Sequence, residues 1–261
     1  MTPSYFAAVR PTYIENWPVA LARLSIPQTD VPLSLEEARA LAALNGARAG
    51  LLSGPDSPHI DAVAGRIGAA LRAYADGAFI RLGSRSGKDS RYARQHGLRV
   101  FRPEAAIRML TEGSRRIAFD LRLALRYDYR PHIFVRQWCE IPCWAEFRCF
   151  VRDRRLVGVS QYDCKNLGPR REIAENAARI EDALTAFFAT FDDASHLDNV
   201  VADVFVNIDD QDRDKTPAVK LLELNPFIPE TDPCLFTWRS GTDFDGTFRF
   251  LYSDVHADAT L

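Results

Sequence analysis

The sequence predicts an α+β protein whose sheets are mainly antiparallel. Three observations carry this. Several segments repeat apolar residues at helical spacing, one stretch alternates about a tight polar turn, and two apolar strand-like runs lie near the end on either side of a polar loop. "SLEEARALAALNG" (residues 34–46) opens on a cap residue followed by Glu and closes on Asn-Gly, so a short helix is expected. "HIDAVAGRIGAALRAYADG" (59–77) spaces Ile60, Val63, Ile67 and Leu71 as a helix does. "AFIRLGSR" reads as a strand entering a loop. Residues 102–128 start with Pro103 at a first helical position, break near Gly113 and restart at Ser114. "HIFVRQW" is a strand, and "CEIPCW" connects it onward, with a hinge expected near residues 136–142.

"AEFRCFVRDRRLVGVSQYD" (145–163) reads as a hairpin turning about Asp153, Arg154 and Arg155. Residues 171–191 place Ile173, Ala177, Ile180, Leu184, Phe187 and Phe191 on one helical stripe. "NVVADVFVNI" and "AVKLLELNPF" are the last strand pair, separated by "DDQDRDKTP". There is no internal repeat and no low-complexity linker.

Composition excludes several classes. The chain has 261 residues, 33 Lys plus Arg against 35 Asp plus Glu, and a net charge of −2. That gives no global argument for nucleic acid or membrane, although a local basic patch stays open. No apolar run reaches the roughly 18 residues of a membrane span, and the first residues lack the pattern of a signal peptide. The five cysteines are read as buried reduced thiols; Cys139 and Cys143 have CxxxC spacing, a poor zinc arrangement. A cytosolic protein is expected. The five histidines are scattered, so neither Ser-His-Asp nor Cys-His catalysis is supported.

Candidate chemistry concentrates on the last strand pair. Glu223 and Asn225 are two apart, hence on one strand face, and Asp203 lies in the partner run. Two facing carboxylates repel unless a cation intervenes. Magnesium with nucleotide phosphates would suit such oxygen ligands; a buried carboxylate paired with Arg148 is the alternative. Glu146 and Arg148 share a face of the hairpin, and Gln161 alternates on its second strand, which suggests a polar cleft. "RLGSRSGKDS" (81–90) fails the Walker pattern, because three residues separate Gly83 from Gly87 and Asp89 follows Lys88. It remains a basic loop, with Arg81, Arg85 and Lys88 available to phosphate oxygens, or else a solvated turn.

In this order, "RLGSRSGKDS", "FVRQWCEIPCWAEFRCFVRDRRLVGVSQYD", "DVFV" and "LLELNPFIPETDPCLFTW" resemble the cell division cycle 123 family, a divergent branch of the ATP-grasp fold. The resemblance covers residues 78–238. It implies ATP and magnesium held between an N-terminal lobe (1–137) and a C-terminal lobe (138–261). It places Arg81 where the family has a phosphate-binding lysine, a departure that keeps the charge but spreads it over a planar fork. Arg136, Gln137 and Trp138 fall on the adenine-binding hinge and Glu140 near the ribose. Asp203, Glu223 and Asn225 fall on the metal site, with Glu where Asp is common at the second. Tyr162 stands where Arg usually follows Ser-Gln. Two functions follow from the resemblance. One is an ATP-dependent ligase-like enzyme, in which Arg81, Lys88 and Arg148 neutralise the transferring phosphate. The other is an assembly chaperone for a protein complex, as eukaryotic relatives are for translation initiation factor 2.

Overall fold

The computed structural model describes residues 4–46, 57–166, 168–208, 216–239 and 243–252. The polar loop expected at 209–217 therefore lies largely outside the described residues. The chain divides into two units, one of residues 1–15 and 26–139, the other of residues 16–25 and 140–261.

The first unit is a four-stranded antiparallel sheet in the order β1-β4-β2-β3, formed by β1 (Gln28–Pro32), β4 (His132–Gln137), β2 (Ala78–Leu82) and β3 (Arg99–Val100). Val31, Ala78, Ile80, Leu82, Ile133 and Val135 share a core with residues of α3 (Leu35–Gly46), α4 (Ser57–Leu71), α6 (Pro103–Thr111) and α7 (Arg115–Arg126). Alternation along the strands then sends Asp30, His132, Phe134, Arg136, Phe79 and Arg81 to the other face.

Local chemistry starts and stops these helices. Ser34 and Glu37 form a capping box: the Glu37 amide donates to Ser34 Oγ at 3.2 Å, and Glu37 Oε2 accepts from the Ser34 amide at 2.8 Å. Helix α4 ends at Leu71, earlier than its pattern suggested. Tyr74 leaves the helix to bond Thr29 through its hydroxyl at 3.0 Å, and Gly77 turns the chain at φ +82°. The break at Gly113 (φ +73°) and restart at Ser114 are as read: Ser114 Oγ accepts from the Ile117 amide.

The second unit is a five-stranded sheet in the order β8-β7-β5-β6-β9. Its strands are β5 (Glu146–Arg152), β6 (Arg155–Gln161), β7 (Val200–Asn207), β8 (Ala218–Pro226) and β9 (Phe248–Arg249); all pairs are antiparallel except β6 with β9. Helix α8 (Arg171–Ala194) buries Ile173, Ile180, Leu184, Phe187 and Phe191 of its predicted stripe, leaves Ala177 half-buried, and packs against β8. Asp153 and Arg154 both take positive φ (49° and 62°), the conformation of a two-residue hairpin turn matched to strand twist.

Residues 16–25 differ from the 1–137 and 138–261 division. They belong with the C-terminal unit because α2 (Val19–Ala22) packs on α8, and Leu24 O and Ser25 Oγ bond the backbone of Leu221 at 2.9 and 2.7 Å. The cysteine expectation is corrected too. Cys149 is buried, but Cys143 is exposed and the other three are half-buried; all five are free. The segment after β8 folds back as an aromatic cluster, in which Phe236 and Phe244 pack on Phe150 and Val201 with Phe227 and Trp238 alongside.

Two checks follow. A Cβ at Gly158 would lie 2.7 Å from the Phe236 ring, whereas at the exposed helical Gly65 it meets nothing within 4 Å. Gly158→Ala should therefore destabilise by about 1–3 kcal/mol, and Gly65→Ala should stabilise by about 0.5–1 kcal/mol, in urea unfolding of the two variants. The second check is His132, whose Nδ1 lies 2.8 Å from Asp30 Oδ1. The Asp30 hydrogen bond raises the histidine above its ordinary value, against the opposing effect of burial. A raised folded value means that stability present below the unfolded pKa is lost as pH rises through the folded one. Unfolding free energy should thus fall as pH rises above the ordinary histidine value of about 6.5, and His132→Gln should remove that step. An unchanged slope in the variant would assign it elsewhere.

Candidate functional site

The site begins with strand register. On β5, β7 and β8, Arg148 stands opposite Asp203 and Asp203 opposite Glu223; Ser160 on β6 is opposite Arg148 from the other side. Directly paired residues share a face, so Glu223, Asp203, Arg148 and Ser160 form one row across four strands. Asn225 and Glu146 lie two positions along their strands on the same face.

Within this row the cation that meets Asp203 is arginine, on the strand opposite to the one that carries Glu223. Arg148 Nε donates to Asp203 Oδ1 at 2.7 Å, and its Nη2 donates to Oδ2 at 2.8 Å. This is the bidentate geometry in which a guanidinium and a carboxylate match best. Both side chains are nearly removed from water, 8% and 2% exposed. Asn225 Nδ2 adds a hydrogen bond to Asp203 Oδ2 at 3.2 Å, and Arg148 Nη1 donates to the Asp232 carbonyl at 2.9 Å. The Tyr162 ring lies 4.9 Å from the guanidinium carbon. Burial alone would pull the Arg148 pKa down; the Asp203 charge and hydrogen bonds outweigh it and hold the guanidinium above its usual range. The Tyr162 hydroxyl is pushed up, first by the Asp203 charge and then by burial.

The loop after β8 closes over this row. Asp232 Oδ1 accepts from the Cys234 amide, its Oδ2 meets Lys165 Nζ, and Leu235 N donates to Ser160 Oγ at 3.2 Å. Thr231 Oγ1 donates to Pro226 O at 2.7 Å, and Trp238 Nε1 donates to Thr231 O at 2.7 Å. The Asn-Pro-Phe…Thr-Asp…Leu-Phe-x-Trp ending is thus, in good part, the wiring that folds its own loop onto the charged row.

Gln161 does not join the row. It pairs with Phe147, so it points away from Arg148, and its Oε1 accepts from the Leu251 amide at 3.1 Å. An uninterrupted two-residue hairpin would have set Gln161 opposite Glu146. The register shift between Phe150 and Val151 leaves Val157 unpaired and moves every later pair by one residue. Ser160 and Tyr162 take the places beside Arg148 instead; the bulge is the only reason, and neither residue type advertises it.

In the first unit, Arg81 on β2 and Arg136 on β4 are buried on the same sheet face, and Arg81 Nε donates to Leu82 O at 3.0 Å. Gln137 is exposed and Trp138 half-buried, its amide bonded to Gly77 O. The basic loop is partly committed to structure. Arg85 pairs with Asp120 at 3.1 Å, Asp89 accepts from Ser114 Oγ at 2.6 Å, and only Lys88 stands exposed between them. Gly87 is required there, since a Cβ would lie 2.6 Å from Met109 O. Glu140, in the second unit, is exposed.

Comparison with known proteins agrees with this architecture. The chain is 32% identical over 108 residues to the "translation initiation factor eIF2 assembly protein" of Xenopus laevis, a match covering 41% of this chain and 29% of that protein. It is 34% identical over 112 residues to the "cell division cycle protein 123" of Phaeosphaeria nodorum, covering 41% of this chain and 26% of the other. The match thus spans less than a third of the length of either. The solved structure of Cdc123 from Schizosaccharomyces pombe superposes with a TM-score of 0.70 over 88% of this chain and 89% of the other at 21% identity, which shows a shared fold. The family profile described as D123 matches residues 40–249, a range that contains the whole Arg148–Asp203–Glu223 row, and the chain belongs to that family.

Proposed function

We propose that this protein is an ATP-dependent assembly factor that acts on a protein partner in the cytoplasm. The observation that carries the reading is family membership joined to the role printed in the relatives' names, the assembly of eIF2. A complex of the translation initiation factor 2 type is therefore the partner proposed. The ligase-like reading, placed first by the sequence, has no comparable support from the relatives. Among the described residues no helix is long and apolar enough to cross a membrane, which agrees with a cytoplasmic partner.

ATP and magnesium belong to the proposal. Glu223 and the side-chain oxygen of Asn225 suit the one or two protein oxygen ligands that magnesium usually takes beside phosphates. Asp203 does not fit that role as arranged, because Arg148 occupies both its oxygens and Asn225 shares one. Its part is to fix Arg148, which is held by two bonds to Asp203 and one to the Asp232 carbonyl. In the first unit Arg81 is the proposed phosphate contact, with Lys88 a further one, and Arg136 to Trp138 the proposed adenine contacts. Bound magnesium would supply charge neutralisation at the phosphates.

Two substitutions separate structure from ligand. Asp203→Asn strands a buried guanidinium and should cost about 3–5 kcal/mol without any ligand. Glu223→Gln keeps shape and removes a charge facing Asp203, so the ligand-free protein should melt no lower than wild type. Wild type should gain roughly 2.7 kcal/mol at a hundredfold excess of ATP with magnesium over the dissociation constant, and Glu223→Gln should gain little. Equal gains in both proteins would remove Glu223 from the metal. The assembly reading is checked by purification from cell extract with and without ATP: a stoichiometric partner of the initiation factor 2 type is expected, and rapid ATP turnover by the isolated protein with no partner would return the enzyme reading.

A further inference from the structure

The net charge of −2 conceals a strongly basic face on α7. Arg115, Phe119, Arg122 and Arg126 recur four, three and four residues apart, which at 3.6 residues per turn places them in one line about 16 Å long. All four are exposed, while Ile117, Ala118, Leu121 and Ala124 bury the opposite side of the helix. Arg116 flanks the line and Arg130 continues past its end. The only acids between residues 115 and 130 are Asp120 and Asp128. Asp120 is buried and paired with Arg85. Among the described residues, none of these five arginines forms an ion pair.

Aromatic rings are interleaved with these charges. Phe119 is 47% exposed, Tyr127 41% and Tyr5 37%. Tyr5 meets Phe119 edge to face at 6.2 Å, and the Arg126 guanidinium carbon lies 5.9 Å from the Tyr127 ring. The core side of α7 is complete without the Arg115–Phe119–Arg122–Arg126 line, although Tyr127 also stacks on Phe6 at 4.5 Å. An acidic protein surface would answer the arginines but leave the rings idle. A flexible polyanion with flat, stackable groups answers both.

The geometry points to this face as a binding surface for single-stranded nucleic acid, with phosphates along Arg115, Arg122 and Arg126 and a base against the Phe119–Tyr5 ring pair. Recognition of this kind is insensitive to sequence, because every base has a π-face and every phosphate the same charge. The surface belongs to the first unit and the charged row to the second, and the inference does not depend on the nucleotide proposal.

Fluorescence anisotropy of a labelled single-stranded oligonucleotide of about 12 nucleotides, titrated with the full chain, tests it. With three phosphates neutralised, affinity should fall with salt at a log–log slope near −2, at about −0.7 per phosphate. The double variant Arg122→Glu, Arg126→Glu should weaken binding and reduce the slope towards about −0.7, while melting as wild type does. Phe119→Ala should weaken binding about tenfold without changing the slope, and Phe119→Trp should retain it. Should either variant fail to fold, Arg122→Gln and Phe119→Leu carry the same comparison. Three results would overturn the inference: no binding at about 50 mM salt, binding indifferent to these substitutions, or a polyglutamate peptide competing equally well with Phe119→Ala showing no loss. The last would assign the face to an acidic protein.

Discussion

The arrangement of the second unit depends on one buried ion pair, Arg148 with Asp203. Taking two charges out of water costs several kcal/mol per ion, and only good geometry with every remaining donor satisfied returns it. Here Asp203 accepts two guanidinium bonds and one amide, and Arg148 donates to Asp203 and to the Asp232 carbonyl. Such a pair demands that β5 and β7 hold one register, because a slip by a single residue would send the two partners to opposite faces. It also demands a cover, which the loop from Thr231 to Trp238 supplies.

The same pair explains why Glu223 can sit beside another carboxylate. With Asp203 neutralised by a guanidinium, the charge facing Glu223 across the strands is largely cancelled. The row therefore ends in one acid whose charge is not offset by its direct neighbour on β7. The proposed oxygen ligand set of Glu223 and Asn225 is smaller than the family resemblance implied, and it would suit a cation that keeps most of its shell for phosphate and water.

Much of the fold was legible in the sequence. Helical stripes, the break at Gly113 and the hairpin turn are local properties, written within ten or so residues. So was the meeting of Asp203 with Glu223, since two long apolar runs had only each other as obvious partners. What escaped depends on distant contacts. Strand β1, with one exposed edge and the polar sequence Gln-Thr-Asp, has little periodic signal; pairing with β4 makes it a strand. Residues 16–25 join the second unit through backbone bonds to Leu221, which no side-chain pattern announces. The bulge at Val157 puts Ser160 in place of Val159 opposite Arg148 and turns Gln161 to the other face, and bulges leave no compositional mark when no glycine takes the extra position. The basic stripe of α7 was hidden by the averaging of charge over the whole chain.

The segments that resemble the D123 family thus do two kinds of work in this chain. Aromatics such as Phe236 and Trp238 pack the loop, and Arg148 with Asp203 fixes the charged row at the strand centres. Separating these roles at Asp203 and Glu223 is the central claim, and a crystal structure with ATP and magnesium tests it most directly. The account predicts that Asp203 remains bidentate to Arg148 while Glu223 and Asn225 meet the metal. A structure in which Asp203 has left Arg148 to coordinate the metal, or in which magnesium lies away from Glu223, would contradict it.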